Sequence, residues 1–187
     1  MTPLKSTQGR VTVRARPLTG RYKQQGLNLV EVAIALFLGL LVLLGVYGLY
    51  QNANNTASNQ SELENVTSLI TSIRTLRTAS GYGASGTNLI PVLINSGGIP
   101  SSMSVSGTTV TNSWSGAVTA VSTGAGFTLT YGDVPKPNCN TLATKAPNAR
   151  TMSLSINGGT AISGEVSSTA ANSGCSADAN TLAWSGR

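Results

Sequence analysis

The chain has 187 residues with 12 Lys and Arg, six Asp and Glu, no His, two Cys and a formal net charge of +6. Without His the commonest general base and metal ligand is missing, and two Cys alone cannot complete a standard zinc site, so neither cofactor nor metal is expected. The excess charge sits at one end: Lys5, Arg10, Arg14, Arg16, Arg21 and Lys23 precede position 26 with no acid among them, and the other basic residues are matched by the six acids, a pattern that marks topology or targeting and not a nucleic-acid surface.

Residues 1–26 therefore read as a basic leader. The uncharged run Val32 to Tyr50 follows. As a helix it spans about 28 Å, enough to cross a bilayer and longer than the apolar region of a cleavable secretory signal. The next basic residue is Arg74. The Lys/Arg asymmetry thus places the leader in the cytoplasm and everything beyond Tyr50 outside. One acid, Glu31, stands at the edge of the run. An acid inside a membrane helix is costly and has a partner or a function, unless it lies close enough to the interface to reach headgroup water; both readings stand on charge alone. Gly39, Gly45 and Gly48 suit either close helix packing or local unwinding.

From Gln51 the composition turns polar, but Leu63, Val66, Ile70, Ile73 and Arg77 repeat at three, four, three and four residues. This predicts an amphipathic continuation of the helix over 51–80, its stripe packed on a sheet and Asn59, Glu62, Ser68 and Thr75 on the opposite side. Gly81, Gly83 and Gly86 supply the stop. They also fit Gly-x-Gly-x-x-Gly, but a helix precedes them in place of a strand, a Pro-containing stretch follows and the next acid is Asp133, so a dinucleotide site is rejected.

Residues 81–187 predict one globular domain of about 100 residues. Strands are expected at Leu89–Ile94, Thr108–Trp114, Ala117–Val121, Phe127–Tyr131 and Thr151–Ile156, with shorter ones around Val166 and Leu182. Turns are expected at Asn95–Gly98, Asp133–Pro137 and Asn157-Gly158-Gly159. The fold class is α+β, a long N-terminal helix packed on an antiparallel sheet. Cys139 and Cys175 lie in the exported segment, where an oxidised pair is expected in place of a metal site or a reactive thiol. Glu62, Glu64, Asp133, Glu165 and Asp178 form no acid–base pair by spacing, and a Ser neighbour for Lys136 or Lys145 is expected by chance in so Ser-rich a chain, so no enzyme is expected.

Before the apolar run the residues are Gly26, Leu27, Asn28, Leu29, Val30 and Glu31: a basic leader ending in Gly, an apolar residue, and Glu five positions after the Gly. This resembles the prepilin peptidase site of type IV pilins. The leader length and a mature start at Leu resemble the type IVb branch, which includes toxin-coregulated pilin, bundlin and the PilS pilins. The stretches Asn88-Leu89-Ile90-Pro91 and Gly97-Gly98-Ile99-Pro100, with the late Cys pair, are similar to PilS. The better-known type IVa pilins carry a Pro near the middle of the helix, whereas no Pro occurs here between Leu27 and Pro91.

The resemblance implies cleavage between Gly26 and Leu27, N-methylation of Leu27, and a role in subunit assembly for Glu31 paired with the Leu27 amine of a neighbouring subunit. It places Cys139 and Cys175 at the ends of the disulfide-bounded C-terminal region, the D-region of pilins. It implies a structural subunit, a major pilin, moving from the inner membrane to an extracellular filament that serves adhesion, aggregation or conjugative contact. The implied partners are other copies of the chain, the prepilin peptidase, an inner-membrane assembly platform with its ATPase, an outer-membrane secretin and a receptor on a host or recipient cell. A minor pilin or secretion-system pseudopilin, and a membrane-tethered binding protein that never polymerises, share many of these features.

Overall fold

In a computed structural model the described residues are 28–146 and 152–187, with no account of side chains 47–56. Two compact units result, the first ending at Leu44 and the second covering Gly45–Arg187.

Helix α1 is Leu29–Thr75. Its first intrahelical bonds run from the Glu31 and Val32 N–H groups to Asn28 O, 2.8 and 3.2 Å. In the first unit the helix is apolar on every side: Leu29, Ile34, Phe37, Leu40 and Leu43 are all exposed. Leu29–Val46 is long and apolar enough to cross a membrane.

In the second unit Val66, Leu69, Ile70 and Ile73 of α1 are buried and Leu63 packs beside them. The stripe is the expected one except at its ends. Arg77 is exposed, and Glu62, expected on the polar side, is 1% exposed and continues the buried row at 62, 66, 69 and 73. Past Thr75 the helix tightens, with the Leu76 and Arg77 N–H groups bonded to Ile73 O and Arg74 O. Gly81, Gly83 and Gly86 then hold φ of +100°, +95° and +88°, conformations that side-chain-bearing residues rarely adopt. Gly81 also abuts the Gly124 carbonyl, where a Cβ would collide.

The expected strand Leu89–Ile94 is instead helix α2, Ile90–Asn95. Pro91 presets φ for a first helical turn, Asn88 Oδ1 accepts the Ile90 N–H at 3.0 Å, and Ile90 and Leu93 share the buried side. A short apolar run has no period that separates the two states, and the cap decides it.

Seven strands form one sheet of order β1-β2-β3-β4-β7-β5-β6, every neighbouring pair antiparallel. They are β1 Ser104–Ser106, β2 Thr109–Thr111, β3 Ala117–Ser122, β4 Phe127–Pro135, β5 Met152–Ile156, β6 Ile162–Ser163 and β7 Ala179–Gly186. Alternation buries Phe127, Leu129 and Tyr131 of β4, Met152, Leu154 and Ile156 of β5, and Leu182 and Trp184 of β7. Tyr131 meets Trp184 edge-on at 5.7 Å between ring centroids, and Tyr82 meets Phe127 likewise at 5.4 Å.

Asp133–Pro137, expected as a turn, divides differently. β4 runs on to Pro135 through a bulge between Tyr131 and Val134, where Asp133 has φ of +52°, and helix α3 starts at Lys136. The extra residue returns Val134 to the core face. Val166 is buried but lies in a loop and not a strand; helix α4, Ser168–Gly174, follows, with the Ser167 hydroxyl accepting the Ala170 N–H at 3.2 Å. Asn157 and Gly158 form the expected turn with φ of +52° and +71°.

The turn between β2 and β3 is the tightest point of the sheet. Asn112 Oδ1 accepts the Trp114 and Gly116 N–H groups at 3.0 and 2.8 Å, while its Nδ2 donates to Gly132 O at 2.8 Å. A Cβ on Gly116 would drive into the Gly132 carbonyl oxygen and backbone atoms cannot swing aside. Gly116→Ala should therefore destabilise the domain by about 3 kcal/mol, measured as a shift in the denaturant midpoint of the full chain in detergent. An unchanged midpoint would contradict the packing described for this turn.

Candidate assembly helix and disulfide-bounded region

Two of the expected site residues, Gly26 and Leu27, lie outside the described residues, as does the basic leader. Glu31 sits in the first turn of α1, where a carboxylate is favoured by the unpaired N–H groups of the helix start. It is exposed among Leu29, Val30 and Val32, and among the described residues no ion pair reaches it. An acid set in an uninterrupted apolar surface can discriminate strongly between partners, because only one that presents a cation or a hydrogen-bond donor at that level compensates its desolvation. The backbone beside Gly39 has open space around it, so another helix could approach closely there.

The second unit brings Cys139 and Cys175 together in a disulfide spanning 36 residues, with Cα atoms 5.9 Å apart and both residues fully buried. Cys139 lies in α3, Lys136–Lys145, which the sequence reading did not anticipate. Its signal was present in the spacing of Cys139, Leu142, Ala143 and Ala146, all buried, but two prolines in the segment 135–137 drew the reading toward a turn. Pro137 falls in the first helical turn, the one helical place that tolerates it. Cys175 caps α4, so the bridge ties α3 to α4, while the N–H of Cys175 donates to Ala171 O at 2.8 Å.

Side-chain amides fasten this region to the rest of the unit. Asn138 Nδ2 donates to Asn59 Oδ1 at 3.0 Å, linking α3 to α1. Asn180, 1% exposed, donates to Val134 O and Ala177 O and accepts from the Ala177 N–H and from Asn157 Nδ2. Between α3 and α4 a shallow groove is lined by Asn140, Thr141, Thr144, Lys145, Ser168 and Asn172, a surface of amides and hydroxyls with one ammonium.

Glu62, expected on the side of the helix opposite the apolar stripe, is a buried carboxylate of this unit. Glu62 Oε1 accepts the Ser113 N–H and hydroxyl at 2.6 and 2.5 Å, and Oε2 accepts Asn65 Nδ2 at 3.3 Å. Asn65 Oδ1 in turn accepts the Ser102 hydroxyl at 2.6 Å. These bonds moor the β2–β3 turn to α1 and satisfy a charge that burial would otherwise make costly. Burial first, and the neighbouring Glu62 carboxylate second, push the Tyr131 hydroxyl well above its ordinary value of 10.0. Among the described residues no cluster of three His, Cys, Asp or Glu is placed to hold a metal.

The model of one protein family, PilS N terminal, matches residues 56–186. The chain belongs to the PilS family. The match begins inside α1 and takes in α2 to α4, all seven strands and both cysteines. No curated protein matches the chain. PilS pilins are structural subunits and not an enzyme family, and membership makes this chain a pilin-like pilus subunit that self-assembles. An apolar N-terminal helix and the disulfide near the C-terminus accord with a type IV pilin of PilS kind, and with a membrane-anchored precursor of a surface pilus.

Two measurements test these interactions. Replacing both Cys139 and Cys175 by Ser removes a constraint on the unfolded chain, so the denaturant midpoint should fall by an amount equivalent to roughly 3 to 4 kcal/mol; a loss below about 1 kcal/mol would deny the bridge its stabilising role. For Tyr131 the folded state favours the neutral hydroxyl. Its contribution is complete below pH 10 and lost as pH rises beyond it, by up to about 1.4 kcal/mol per pH unit. Thermal melts should steepen downward above pH 10, and Tyr131→Phe should flatten that alkaline slope; equal slopes in the two proteins would refute the assignment.

Proposed function

We propose that the chain is the precursor of a major type IVb pilin, polymerising through its N-terminal helix into an extracellular filament. The observation that carries this reading is the uncovered apolar segment Leu29–Val46 with its single acid, placed directly ahead of a PilS-family domain. In this reading residues 1–26 are a leader removed by prepilin peptidase between Gly26 and Leu27. Residues 27–50 are the membrane and assembly helix, 51–80 its amphipathic continuation and 81–187 the globular head.

Gly26 lets the peptidase approach the backbone closely at the membrane face, since it carries no side chain. Cleavage exposes the Leu27 amine, which is then methylated. Glu31 pairs with the Leu27 amine of a neighbouring subunit inside the filament, so that each ion meets its opposite in a medium of low dielectric. A misregistered subunit leaves the carboxylate without a partner and is rejected. Both the inner-membrane anchor and the filament cable are then the same helix, first surrounded by lipid and later by copies of itself.

Export requires the assembly platform, its ATPase and a secretin, and the surface filament serves adhesion, aggregation or conjugative contact through a receptor on the opposing cell. Without the leader the six basic and six acidic residues balance. Repulsion between neighbouring heads is correspondingly weak, which suits lateral bundling and tolerance of salt.

N-terminal sequencing of filaments sheared from the cell surface should begin at a methylated Leu27. Glu31→Ala should leave the precursor in the membrane fraction while lowering filament yield at least about tenfold, as expected for an unmade ion pair in a low-dielectric core. Filaments that begin at Met1, or normal filament yield from the Glu31 variant, would overturn the reading.

A further inference from the structure

Asn157 and Gly158 form the single Asn-Gly dipeptide of the chain and occupy the turn that leaves β5. Asn-Gly is the least durable of dipeptides in an unstructured chain, because no side chain on Gly hinders attack by its backbone nitrogen on the Asn amide carbon. The Gly158 N–Cγ bond forms, the Cγ–Nδ2 bond breaks, and ammonia leaves with the proton of the Gly158 amide. Water then opens the cyclic imide at either carbonyl to give Asp or isoaspartate. The reaction needs no oxidant, metal or enzyme.

The native turn opposes this chemistry at both ends of the side chain. Asn157 Nδ2 donates to Gly174 O and to Asn180 Oδ1 at 2.9 and 2.8 Å, and Oδ1 accepts the Thr181 N–H at 2.8 Å. Asn157 has φ of +52°, and in the left-handed region, where ψ is roughly +47°, the Gly158 nitrogen is turned away from Cγ. The backbone is pinned as well, with the Asn157 N–H donating to Thr181 O at 2.8 Å and the Gly159 N–H to Ile156 O at 2.9 Å. The turn is solvent-exposed, so water for hydrolysis is always at hand and conformation alone withholds the reaction.

We propose that Asn157 is a deamidation site silenced by the native packing of the C-terminal region and opened whenever that region unfolds. Two of the three bonds that hold the side chain reach Gly174 and Asn180, which flank Cys175, so the integrity of the disulfide-bounded segment and the durability of Asn157 are linked. The change is irreversible. A carboxylate at position 157 faces Gly174 O and Asn180 Oδ1, two acceptors, where a donor stood before, and the latch does not re-form. Deamidation thus marks a subunit that has once been unfolded. The inference concerns the folded domain and does not depend on how the chain is processed or assembled.

The test incubates the full chain in detergent at mildly alkaline pH, folded and in denaturant, and follows Asn157 by peptide mapping for the acid and isoaspartate products. Conversion in the unfolded chain should be at least about tenfold faster than in the folded one, the signature of a reaction gated by local opening; equal rates overturn the proposal. Asn180→Ala, held below its own melting temperature, should deamidate at Asn157 several-fold faster than the parent, and an unchanged rate denies the hydrogen-bond lock its role. Asn157→Asp should melt below the parent while Asn172→Asp, on the exposed side of α4, does not. Equal melting of Asn157→Asp and the parent overturns the loss of the latch.

Discussion

Residues Leu29–Val46 present Leu, Val, Ile, Phe and Ala around the whole circumference of α1, and among the described residues nothing else covers them. At about 25 cal/mol per Å2 of apolar surface, a helix of this kind is driven out of water toward apolar surroundings that the described residues do not supply. Lipid can supply them, and so can other copies of the helix. Its solvent must therefore come from outside the chain, and a pilin, membrane-held before assembly and helix-packed after it, meets that requirement twice with one segment. In the filament proposed above, Glu31 adds direction to an otherwise non-directional force, since burial of apolar surface alone does not set a register.

Beyond Gly45 the same helix obeys a different rule. Val66, Leu69, Ile70 and Ile73 are buried in the core, and amides and hydroxyls join the elements of this unit. Asn65, Asn112, Asn138 and Asn180 are buried, and each bonds a backbone carbonyl or another side chain across elements. The buried Glu62 is satisfied by Ser113 and Asn65 without a basic partner among those bonds. Amides keep their hydrogen bonds through changes of salt and pH that weaken exposed ion pairs. Their cost is chemical, as Asn157-Gly158 illustrates.

The legible parts were those governed by a single period. Phe127, Leu129 and Tyr131 alternate, as do Met152, Leu154 and Ile156, and both runs are strands with those residues inward. The stripe of α1 follows from spacing, and the loop after it takes φ that only Gly adopts cheaply at Gly81, Gly83 and Gly86, although the helix itself already ends at Thr75. Elements whose identity turns on a cap or a proline differ from expectation: α2 stands where a strand is expected, α3 starts inside the expected turn Asp133–Pro137, and a loop stands ahead of α4 where another strand is expected. In α2 and α4 a short segment carries too few residues for its period to show, in α3 the prolines mask the period, and Asn88, Pro137 or Ser167 lies at the edge of each. Glu62 escaped for a related reason, because a carboxylate is buried only when partners distant in sequence are waiting for it.

Taken alone, the residue order determined the basic charge of residues 1–26, the apolar length of the helix, the place of its acid, the α+β class and the pairing of the only two cysteines, because charge distribution, hydrophobic run length and Cys count are local or additive properties. Tertiary structure decided the strand order, with the last strand β7 inserted between β4 and β5, and the burial of Glu62 against Ser113. It also decided that Cys139 and Cys175 meet across 36 residues, and the lock on Asn157. Each of these depends on groups that are tens of residues apart in the chain, and only closure of the fold brings donor to acceptor.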